Sequence, residues 1–453
     1  MNVHFIAIGG SAMHNLAIAL HKKGFNVSGS DDEIFEPSAS RLDKYNLLPK
    51  EWGWFPEKIT DDLDAVILGM HARIDNSELL AAQEKNLKIY SYPEYIYEQT
   101  KDKKRVVIGG SHGKTSTTAM LMHVLRDLNM NFDYMVGANL EGFDTMVKLT
   151  EDAPIVVLEG DEYLSSPIDL RPKFHLYHPH IAVITGIAWD HINVFPTFDN
   201  YVKQFEIFTD KIEPGGSFIY FSNDQNILKL AMNVRRDIDR HSYDTHNYII
   251  ELDKLYLVDG DNKYELKIFG EHNLQNLNAA LKVCIQLGIK KEDFYKYIQS
   301  FSGAAKRLQM LTNTESSVAY LDFAHSPSKL KATVEAVKGR FPERKLVACM
   351  ELHTFSSLKK EFLPQYKNCM EKADLACVYF NPEVVEHKKL NKISAEQVRE
   401  AFHKDGLRVF TDSSKMLDYL KTQSYENSSL LLMSSGNFNG LDLKAVADDL
   451  LKD

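Results

Sequence analysis

The sequence predicts a three-domain α/β protein. Its 453 residues exceed what one hydrophobic core usually holds, so several domains are expected. Apolar strands alternate with amphipathic helices at both ends of the chain, which is typical of Rossmann-like units. Between them a glycine-rich turn links an apolar strand to a helix. We expect a Rossmann-like domain at 1–100, a central domain with a P-loop-type turn at 101–302, and a second Rossmann-like, doubly wound domain at 303–453.

The first domain is predicted from a short βαβ pattern. Its strands are expected at 3–8, 26–28, 65–69 and 87–90, with a helix at 15–22. The dinucleotide fingerprint is incomplete, because Gly9 and Gly10 are followed by Ala12 and Met13. Asp31 lies at the distance where an acidic residue takes a ribose hydroxyl. A nucleotide-type ligand and a structural turn with a solvated aspartate both fit. The charged segment 98–104 predicts a linker.

The central domain opens with the turn Gly109–Ser116, which follows the apolar run 105–108. Glycines let backbone N–H groups converge on an anion at a helix N-terminus, and Lys114 adds a positive charge. The hydroxyl of Thr115 can bind Mg²⁺. The turn is shorter than a standard P-loop, because Ile108 stands where the first glycine would be.

Two later strands of this domain end in polar residues. Glu159 ends an apolar strand, an arrangement that places a carboxylate on Mg²⁺, although strand-end acids also face solvent. Asp190 and His191 follow the strand at 180–185, where they suit a metal or phosphate site, or a capping aspartate beside a surface histidine. Residues 215–269 predict a small added sheet, and the helix after it carries His272, Asn273 and Asn276 near its start. These asparagines suit either caps or ligand hydrogen bonds.

The third domain is predicted from alternating strands and helices after residue 302. Its strands are expected at 317–321, 346–350, 375–380, 407–410 and 430–433. Asp322 to Pro327 follow the first strand, and a glycine-bearing turn at 434–440 follows the last.

The composition narrows the function classes. A net charge of -10 argues against a nucleic-acid-binding surface. The four cysteines show no C-x-x-C spacing, so we expect reduced core thiols and a cytoplasmic protein. The N-terminus lacks a basic signal-peptide region, and no apolar run reaches membrane-spanning length.

Taken together, these stretches resemble the Mur ligases, the ATP-dependent ligases that join amino acids or peptides to UDP-N-acetylmuramic acid. The resemblance covers all three domains. It rests on six motifs in the family's order: Gly110–Thr115, Glu159-x-Asp161-Glu162, Asp190-His191, His272-Asn273-x-x-Asn276, Arg307, and Asp322-Phe323-Ala324-His325-x-Pro327.

The resemblance implies an ATP-dependent ligase that forms a C–N bond through an acyl phosphate and uses ATP and Mg²⁺. Its partners would be UDP-N-acetylmuramate and a peptide or amino acid, with no nucleic acid, and it would be a monomer or homodimer. The implied catalytic residues are Lys114, His191, Arg307 and Asp322. The implied ATP-binding residues are Gly110, Ser111, His112, Gly113, Lys114, Thr115, Ser116, His272, Asn273, Asn276, Arg307 and Asp322. The implied metal ligands are Thr115, Glu159 and His191. The implied UDP-sugar residues are Gly9, Gly10, Ser11, Ser30, Asp31, Gly69 and His71, and His325 and His353 would meet the amine.

Two kinds of family member resemble the chain most. One attaches the recovered tripeptide L-Ala-γ-D-Glu-meso-diaminopimelate in peptidoglycan recycling, and the other attaches L-alanine in de novo synthesis. The long segment 159–191 and the turn 433–440 favour the tripeptide. Three departures from the family pattern stand out: Gly186 replaces a common Asn, Leu321 replaces a frequent acid, and the stretch 351–357 lacks an expected Arg. No lysine is assigned as carbamylated.

Two other classes of protein share parts of this sequence pattern. A non-catalytic nucleotide-binding protein would be favoured by loss of Lys114, Glu159 or His191, and all three are present. A nicotinamide-dependent oxidoreductase would use the first βαβ unit, but the incomplete glycine pattern and the separate phosphate loop weigh against it.

Overall fold

The structure, a computed structural model, describes residues 1–251 and 254–452. The chain forms two compact units. Unit one contains residues 1–187, 199–244 and 279–297, and unit two contains 188–198, 245–278 and 298–452 of the described residues. Each unit is built on sheets whose strands are mostly parallel, with helices following the strands. The predicted α/β class is confirmed.

Unit one begins with a four-stranded parallel sheet. Its strands are β1 (Asn2–Ile6), β2 (Asn26–Ser30), β3 (Ala65–Leu68) and β4 (Ile89–Ser91), in the order β2-β1-β3-β4. Its helices are α1 (Ser11–Lys22), α2 (Ser38–Asp43), α3 (Ser77–Glu84) and α4 (Tyr92–Thr100), with a 3-10 helix at Pro56–Lys58. β1 and β3 are buried strands whose apolar side chains form a core with Leu79 and Ala82 of α3.

The predicted linker at 98–104 is wrong for most of its length. Helix α4 continues to Thr100, and the next strand already begins at Lys104. Lys103 is buried and forms an ion pair with buried Asp133, with Nζ and Oδ2 2.8 Å apart. The charge of Lys103 is therefore neutralised inside the protein, which the local sequence could not indicate.

The second sheet of unit one has seven strands. They are β5 (Lys104–Gly109), β6 (Phe132–Met135), β7 (Val147–Lys148), β8 (Ile155–Gly160), β9 (Ile181–Ile184), β10 (Ser217–Phe221) and β11 (Asp239–Tyr243), in the order β11-β10-β9-β5-β8-β6-β7. Only the short edge strand β7 is antiparallel to its neighbour. The helices here are α5 (Lys114–Asp127), α6 (Phe198–Asp210) and α7 (Gln225–Asn233), with a 3-10 helix at Lys173–Leu176.

The prediction of one small sheet over 215–269 is partly wrong. β10 and β11 extend the large parallel sheet, and α7 lies between them as a βαβ crossover. Only β12 (Tyr248–Glu251), β13 (Lys254–Asp259) and β14 (Asn262–Leu266) form a separate antiparallel sheet, which belongs to unit two. α8 (Glu271–Gln286) and α9 (Lys291–Ile298) follow.

The main sheet of unit two has six strands. They are β15 (Gln309–Asn313), β16 (Val318–Asp322), β17 (Lys345–Glu351), β18 (Leu375–Tyr379), β19 (Arg408–Phe410) and β20 (Ser428–Met433), in the order β15-β16-β20-β17-β18-β19. β15 is antiparallel and the other five are parallel. The helices are α10 (Pro327–Arg340), α11 (Pro382–His387), α12 (Ala395–Phe402), α13 (Ser413–Lys421) and α14 (Leu443–Leu450), with a 3-10 helix at Leu363–Tyr366.

Two sequence-based expectations can be compared directly with this structure. All four cysteines are buried and free, as predicted for core thiols. Among residues 1–251 and 254–452, the helices are too short or too polar to cross a membrane.

Candidate functional site

The phosphate-loop turn connects β5 to α5 at the carboxyl edge of the large sheet. Gly110 has φ +136°, and a Cβ atom there would lie 2.2 Å from the Thr185 hydroxyl oxygen. Gly113 has φ +79° and comes immediately before α5, whose first residue is Lys114. The left-handed backbone at these two positions favours glycine. The turn thus brings the N-terminus of α5 to the sheet edge, where an anion can be bound.

The Lys114 ammonium lies against this turn. Its Nζ donates a hydrogen bond to the Gly110 carbonyl oxygen and another, of 2.6 Å, to Glu162 Oε2. Burial disfavours the charged form, but the carboxylates of Glu162, Asp161 and Glu159 outweigh burial and raise the pKa of Lys114. Lys114 is therefore a fixed cation at neutral pH.

Thr115 and Glu159, both predicted as metal ligands, lie side by side. The Thr115 hydroxyl donates a 2.8 Å hydrogen bond to Glu159 Oε1, and the Gly137 N–H donates a 2.8 Å bond to Oε2. β5 and β8 are neighbouring parallel strands, with Ile108 opposite Glu159. Thr115, which follows β5, and Glu159 therefore lie at the same edge of the sheet. A hydroxyl and a carboxylate are the hard oxygen ligands that Mg²⁺ prefers.

The carboxyl edge of the four-stranded sheet collects the residues predicted for the sugar nucleotide. β1, β2 and β3 are adjacent and parallel, and Gly9, Ser30 and Gly69 lie at or just beyond their ends. The Gly9 N–H donates a 2.7 Å bond to Asp31 Oδ2. Burial raises the pKa of the Asp31 carboxyl to about 6, although the Gly9 hydrogen bond opposes the shift. Gly10 precedes α1, Ser11 is its first residue, and His71 is exposed beyond β3.

In unit two, Asp322 ends β16 and is buried. Its Oδ2 accepts a 2.6 Å bond from the Leu308 N–H, and its Oδ1 accepts a 2.7 Å bond from the Ala324 N–H. Burial raises the pKa of Asp322, against the effect of Arg307 and these hydrogen bonds. Asp322 thus joins the backbone just before β15 to the backbone just after β16.

Arg307 lies in the loop that Asp322 holds. Its guanidinium carbon is 4.5 Å from the centre of the Phe323 ring, and NH1 donates a 3.1 Å bond to the Lys306 carbonyl. Stacking on an aromatic ring fixes the plane of the guanidinium group.

Asp190 and His325 also meet within unit two. His325 Nε2 is 3.9 Å from Asp190 Oδ2, and His325 Nδ1 is 2.9 Å from the Phe323 carbonyl oxygen. Burial and the charge of Lys329 lower the pKa of His325, with Asp190 opposing part of the shift, so the imidazole is neutral at pH 7. Burial opposes ionisation of Asp190, but the charges of His191 and Lys329 lower its pKa.

The start of α8 carries His272, Asn273 and Asn276. Both asparagines are buried, and Asn273 Nδ2 donates a 2.8 Å bond to the Phe269 carbonyl. At least Asn273 therefore has a structural role at this end of the helix.

A further buried acid, Glu351, lies at the carboxyl ends of the neighbouring parallel strands β17 and β20. The buried Glu351 Oε2 accepts hydrogen bonds from the Ser434 hydroxyl and, at 2.8 Å, from the Phe438 N–H. Glu351 Oε1 is 3.7 Å from Nδ1 of the half-exposed His353. Burial opposes ionisation, but the hydrogen bonds from His353, Ser434 and Phe438 lower the pKa of Glu351.

Sequence reasoning missed three of these side chains. Glu162 was noted only as part of a motif, and Glu351 was not singled out; nor was Tyr201, whose hydroxyl donates a 3.0 Å bond to Glu162 Oε1. Glu351 carries the signal that identified Glu159, an acid that ends an apolar strand. The predicted ligand set of Thr115, Glu159 and His191 is divided between unit one and unit two, so it stays a prediction.

The phosphate loop, its fixed lysine and the paired hydroxyl and carboxylate define a nucleotide-dependent α/β enzyme. Three family models cover most of the chain: the Mur ligase family catalytic domain at 2–104, the Mur ligase middle domain at 108–284, and the Mur ligase glutamate ligase domain at 306–436. The chain belongs to the Mur ligase family, whose members are ATP-dependent ligases that form amide bonds in peptidoglycan synthesis. The predicted family and enzyme class are confirmed.

Named relatives and solved structures agree with this assignment. The chain is 29% identical over 390 residues to the UDP-N-acetylmuramate–L-alanine ligase of Lactobacillus gasseri, covering 83% of this chain and 84% of the relative. Its fold matches the murein peptide ligase of Psychrobacter arcticus, with a TM-score of 0.68, 19% identity, and coverage of 100% of this chain and 98% of that one. It also matches the UDP-N-acetylmuramate–alanine ligase of Thermotoga maritima, with a TM-score of 0.71, 18% identity and the same coverage.

Proposed function

We propose that this protein joins the carboxylate of UDP-N-acetylmuramate to the amino group of an amino acid or peptide, with conversion of ATP to ADP and phosphate. The observation that carries the proposal is the arrangement at the edge of the large sheet. Lys114 is fixed at the start of α5, beside the bonded pair of Thr115 and Glu159. This arrangement suits transfer of a phosphoryl group, which depends on positioning and on neutralising charge.

The chemistry explains why ATP is needed. A carboxylate is a poor acyl donor because it has no good leaving group. Attack of a carboxylate oxygen on the γ-phosphorus releases ADP and gives an acyl phosphate. The amine nitrogen then attacks the carbonyl carbon, loses a proton, and phosphate leaves as the C–N bond is completed. Each step moves negative charge onto oxygens that a nearby cation can stabilise.

The residues of unit one would divide this work. The Lys114 ammonium would contact the β- and γ-phosphates, and backbone N–H groups at the start of α5 would bind phosphate oxygens. Thr115 and Glu159 offer two oxygen ligands that fit Mg²⁺, with His191 as a further candidate. When bound, Mg²⁺ would neutralise charge on the transferred phosphoryl group.

Unit two would supply the remaining contacts. Arg307 would bind the γ-phosphate through the donors at the edge of its stacked guanidinium. Asp322 would act mainly by holding the Arg307 loop, because its oxygens accept hydrogen bonds from the N–H groups of Leu308 and Ala324. His272, Asn273 and Asn276 would line the adenine or ribose, and His325 and His353 are the candidates for contact with the amine.

The sugar nucleotide would bind at the edge of the four-stranded sheet. Gly9 and Gly10 form the turn before α1 and Ser11 begins the helix, so a diphosphate could bind at this helix N-terminus. Asp31 and Ser30 lie beside this turn, and Gly69 and His71 follow the neighbouring strand. Ligands of open parallel sheets usually bind at such an edge.

The comparisons favour L-alanine as the amine over the tripeptide that the sequence features favoured. The curated relatives found by sequence include the alanine ligases of Lactobacillus gasseri and Clostridium kluyveri, whereas the murein peptide ligase of Psychrobacter arcticus was found by its fold. L-alanine is therefore the first candidate. The tripeptide is the second, and the turn 433–440, which encloses Glu351 next to His353, is the feature that supports it.

One experiment tests both candidate amines. Phosphate release and product mass are measured with UDP-N-acetylmuramate, ATP, Mg²⁺ and either L-alanine or the tripeptide. We expect a product one water lighter than the sum of the acid and L-alanine, formed with stoichiometric phosphate. A kcat/KM more than about tenfold higher for the tripeptide, equivalent to about 1.4 kcal/mol in the barrier, would establish the second candidate. If no product forms with L-alanine or with the tripeptide, the proposed function is rejected.

A further inference from the structure

Glu162 is a buried carboxylate beside the phosphate loop. Its side chain is only 1% exposed, and a buried carboxylate is costly unless it is paired. Oε2 accepts the 2.6 Å hydrogen bond from Lys114 Nζ, and Oε1 accepts a 3.0 Å bond from the Tyr201 hydroxyl. Both carboxylate oxygens are thus bonded to groups with defined positions.

Tyr201 connects Glu162 back to the loop. It lies on α6 and is completely buried, and its hydroxyl oxygen is 2.8 Å from Ser111 Oγ. The contacts therefore run from Ser111 through Tyr201 and Glu162 to Lys114. This network, which we call the loop brace, begins and ends within the same phosphate loop.

The loop brace determines where the Lys114 ammonium points. An ammonium group has three N–H donors, and a lysine side chain has several rotatable bonds. Within the described residues, two hydrogen bonds from Nζ are found, one to Gly110 and one to Glu162. One donor therefore remains for an incoming oxygen. Fixing the side chain in advance reduces the entropy lost when a phosphate binds.

We propose that Glu162 is a positioning residue for ATP, acting through Lys114 and held by Tyr201 and Ser111. It would not contact the phosphates, because two anionic groups repel each other. Its negative charge and fixed geometry would instead keep the ammonium directed at the phosphate oxygens. The inference rests on the proposed function only in taking the Lys114 partner to be a nucleotide phosphate.

The test measures binding of a non-hydrolysable ATP analogue with Mg²⁺ by calorimetry. The variants are Glu162→Gln, Glu162→Ala, Tyr201→Phe, Lys114→Ala and the double variant Lys114→Ala/Glu162→Ala. Glu206→Gln, an exposed acid on α6 paired with Lys203, is the matched control and should bind like wild type.

We expect a graded loss of affinity. Glu162→Ala should weaken binding by about tenfold, and Glu162→Gln, which keeps an acceptor oxygen, by about threefold. Tyr201→Phe should fall between wild type and Glu162→Gln. In the Lys114→Ala background, removal of Glu162 should cause no further loss, because its effect passes through the lysine.

Several outcomes would overturn the inference. Unchanged or tighter binding by Glu162→Ala would mean that Glu162 competes with phosphate for Lys114. An equal loss in the Lys114→Ala background would mean a purely structural role. If Glu162→Ala does not fold by circular dichroism, Glu162→Gln and Tyr201→Phe decide alone, and wild-type affinity in both rejects the inference. Failure of wild type to bind the analogue would instead reject the proposed function.

Discussion

Gly186 and His112 share one small space at the end of β9. A Cβ atom on Gly186 would lie 2.2 Å from Cε1 of the His112 ring, much closer than any normal contact. The Gly186 carbonyl also accepts a 2.9 Å hydrogen bond from the Ser111 N–H. The absence of a side chain at Gly186 leaves the space that the His112 ring occupies.

Exchange of Gly186 should therefore disturb the loop through the His112 ring. We expect Gly186→Ala to weaken binding of an ATP analogue by about tenfold, because the ring must turn and the loop must shift with it. His112→Ala keeps the backbone N–H groups and should restore most of the loss in the double variant. Calorimetric affinities for the four proteins check this. Additive losses would contradict the steric explanation.

Lys114 should be essential for ligation. We expect Lys114→Ala to lower kcat by at least about a hundredfold, equivalent to about 2.7 kcal/mol, because the lost charge stabilises the transferred phosphoryl group. Phosphate release under saturating substrates is the measurement. Lys101→Ala, which removes an exposed lysine that forms an ion pair with Glu98, should retain full activity. More than about a tenth of wild-type activity in Lys114→Ala would contradict the role.

Glu159 should set the requirement for Mg²⁺. Glu159→Gln keeps the size and one acceptor oxygen, which can still accept the bond from the Gly137 N–H, but removes the charge that attracts a divalent cation. We expect the Mg²⁺ concentration for half-maximal phosphate release to rise by about tenfold or more. The exposed Glu151→Gln on the loop before β8 is the control. An unchanged Mg²⁺ dependence would remove Glu159 from the ligand set.

Local signals predicted much of the fold and of the phosphate loop. The turn between β5 and α5 lies within one continuous stretch, and its glycines, lysine and hydroxyl are adjacent in sequence. Glu159 was found because a strand-end acid in a parallel sheet reaches the same edge as the loop. Such features depend on neighbours along the chain and on the general geometry of α/β sheets.

The contacts that the sequence did not predict depend on residues far apart in the chain. Lys114 and Glu162 are 48 positions apart, and Tyr201 lies on an amphipathic helix where it resembles an ordinary core residue. The same limit explains the linker error, because Lys103 is neutralised by Asp133 from another strand. Helix α7 was missed because its nine residues lie within the segment 215–269, which was predicted as a whole to form a small sheet.

The Asp31 carboxyl should make the free energy of unfolding decrease as the pH rises from about 4 to about 6. Its folded pKa of about 6 exceeds the ordinary value of 3.8, so the folded protein binds the extra proton between these pH values. The melting temperature of wild type, compared with Asp31→Asn, should decline by a few degrees from pH 4 to pH 6.5. Asn keeps an acceptor for the Gly9 N–H. A difference that does not change with pH would show that Asp31 is not held protonated.

Glu351 should show the opposite pH dependence and an effect on the amine. Its pKa is lowered in the folded protein, so its contribution is present at neutral pH and is lost as pH falls below the ordinary value of 4.5. The melting temperature of Glu351→Gln should lie below that of wild type at pH 7, and the gap should shrink towards pH 4.

The same variant tests whether Glu351 orients His353. Without the carboxylate, the His353 ring loses the partner that faces Nδ1, so Nε2 is no longer held in one direction. We expect the KM for the amine to rise by about tenfold, with the KM for ATP unchanged. Glu343→Gln, an exposed acid in the loop before β17, is the matched control. If both KM values rise together, Glu351 supports the fold of unit two and has no separate role towards the amine.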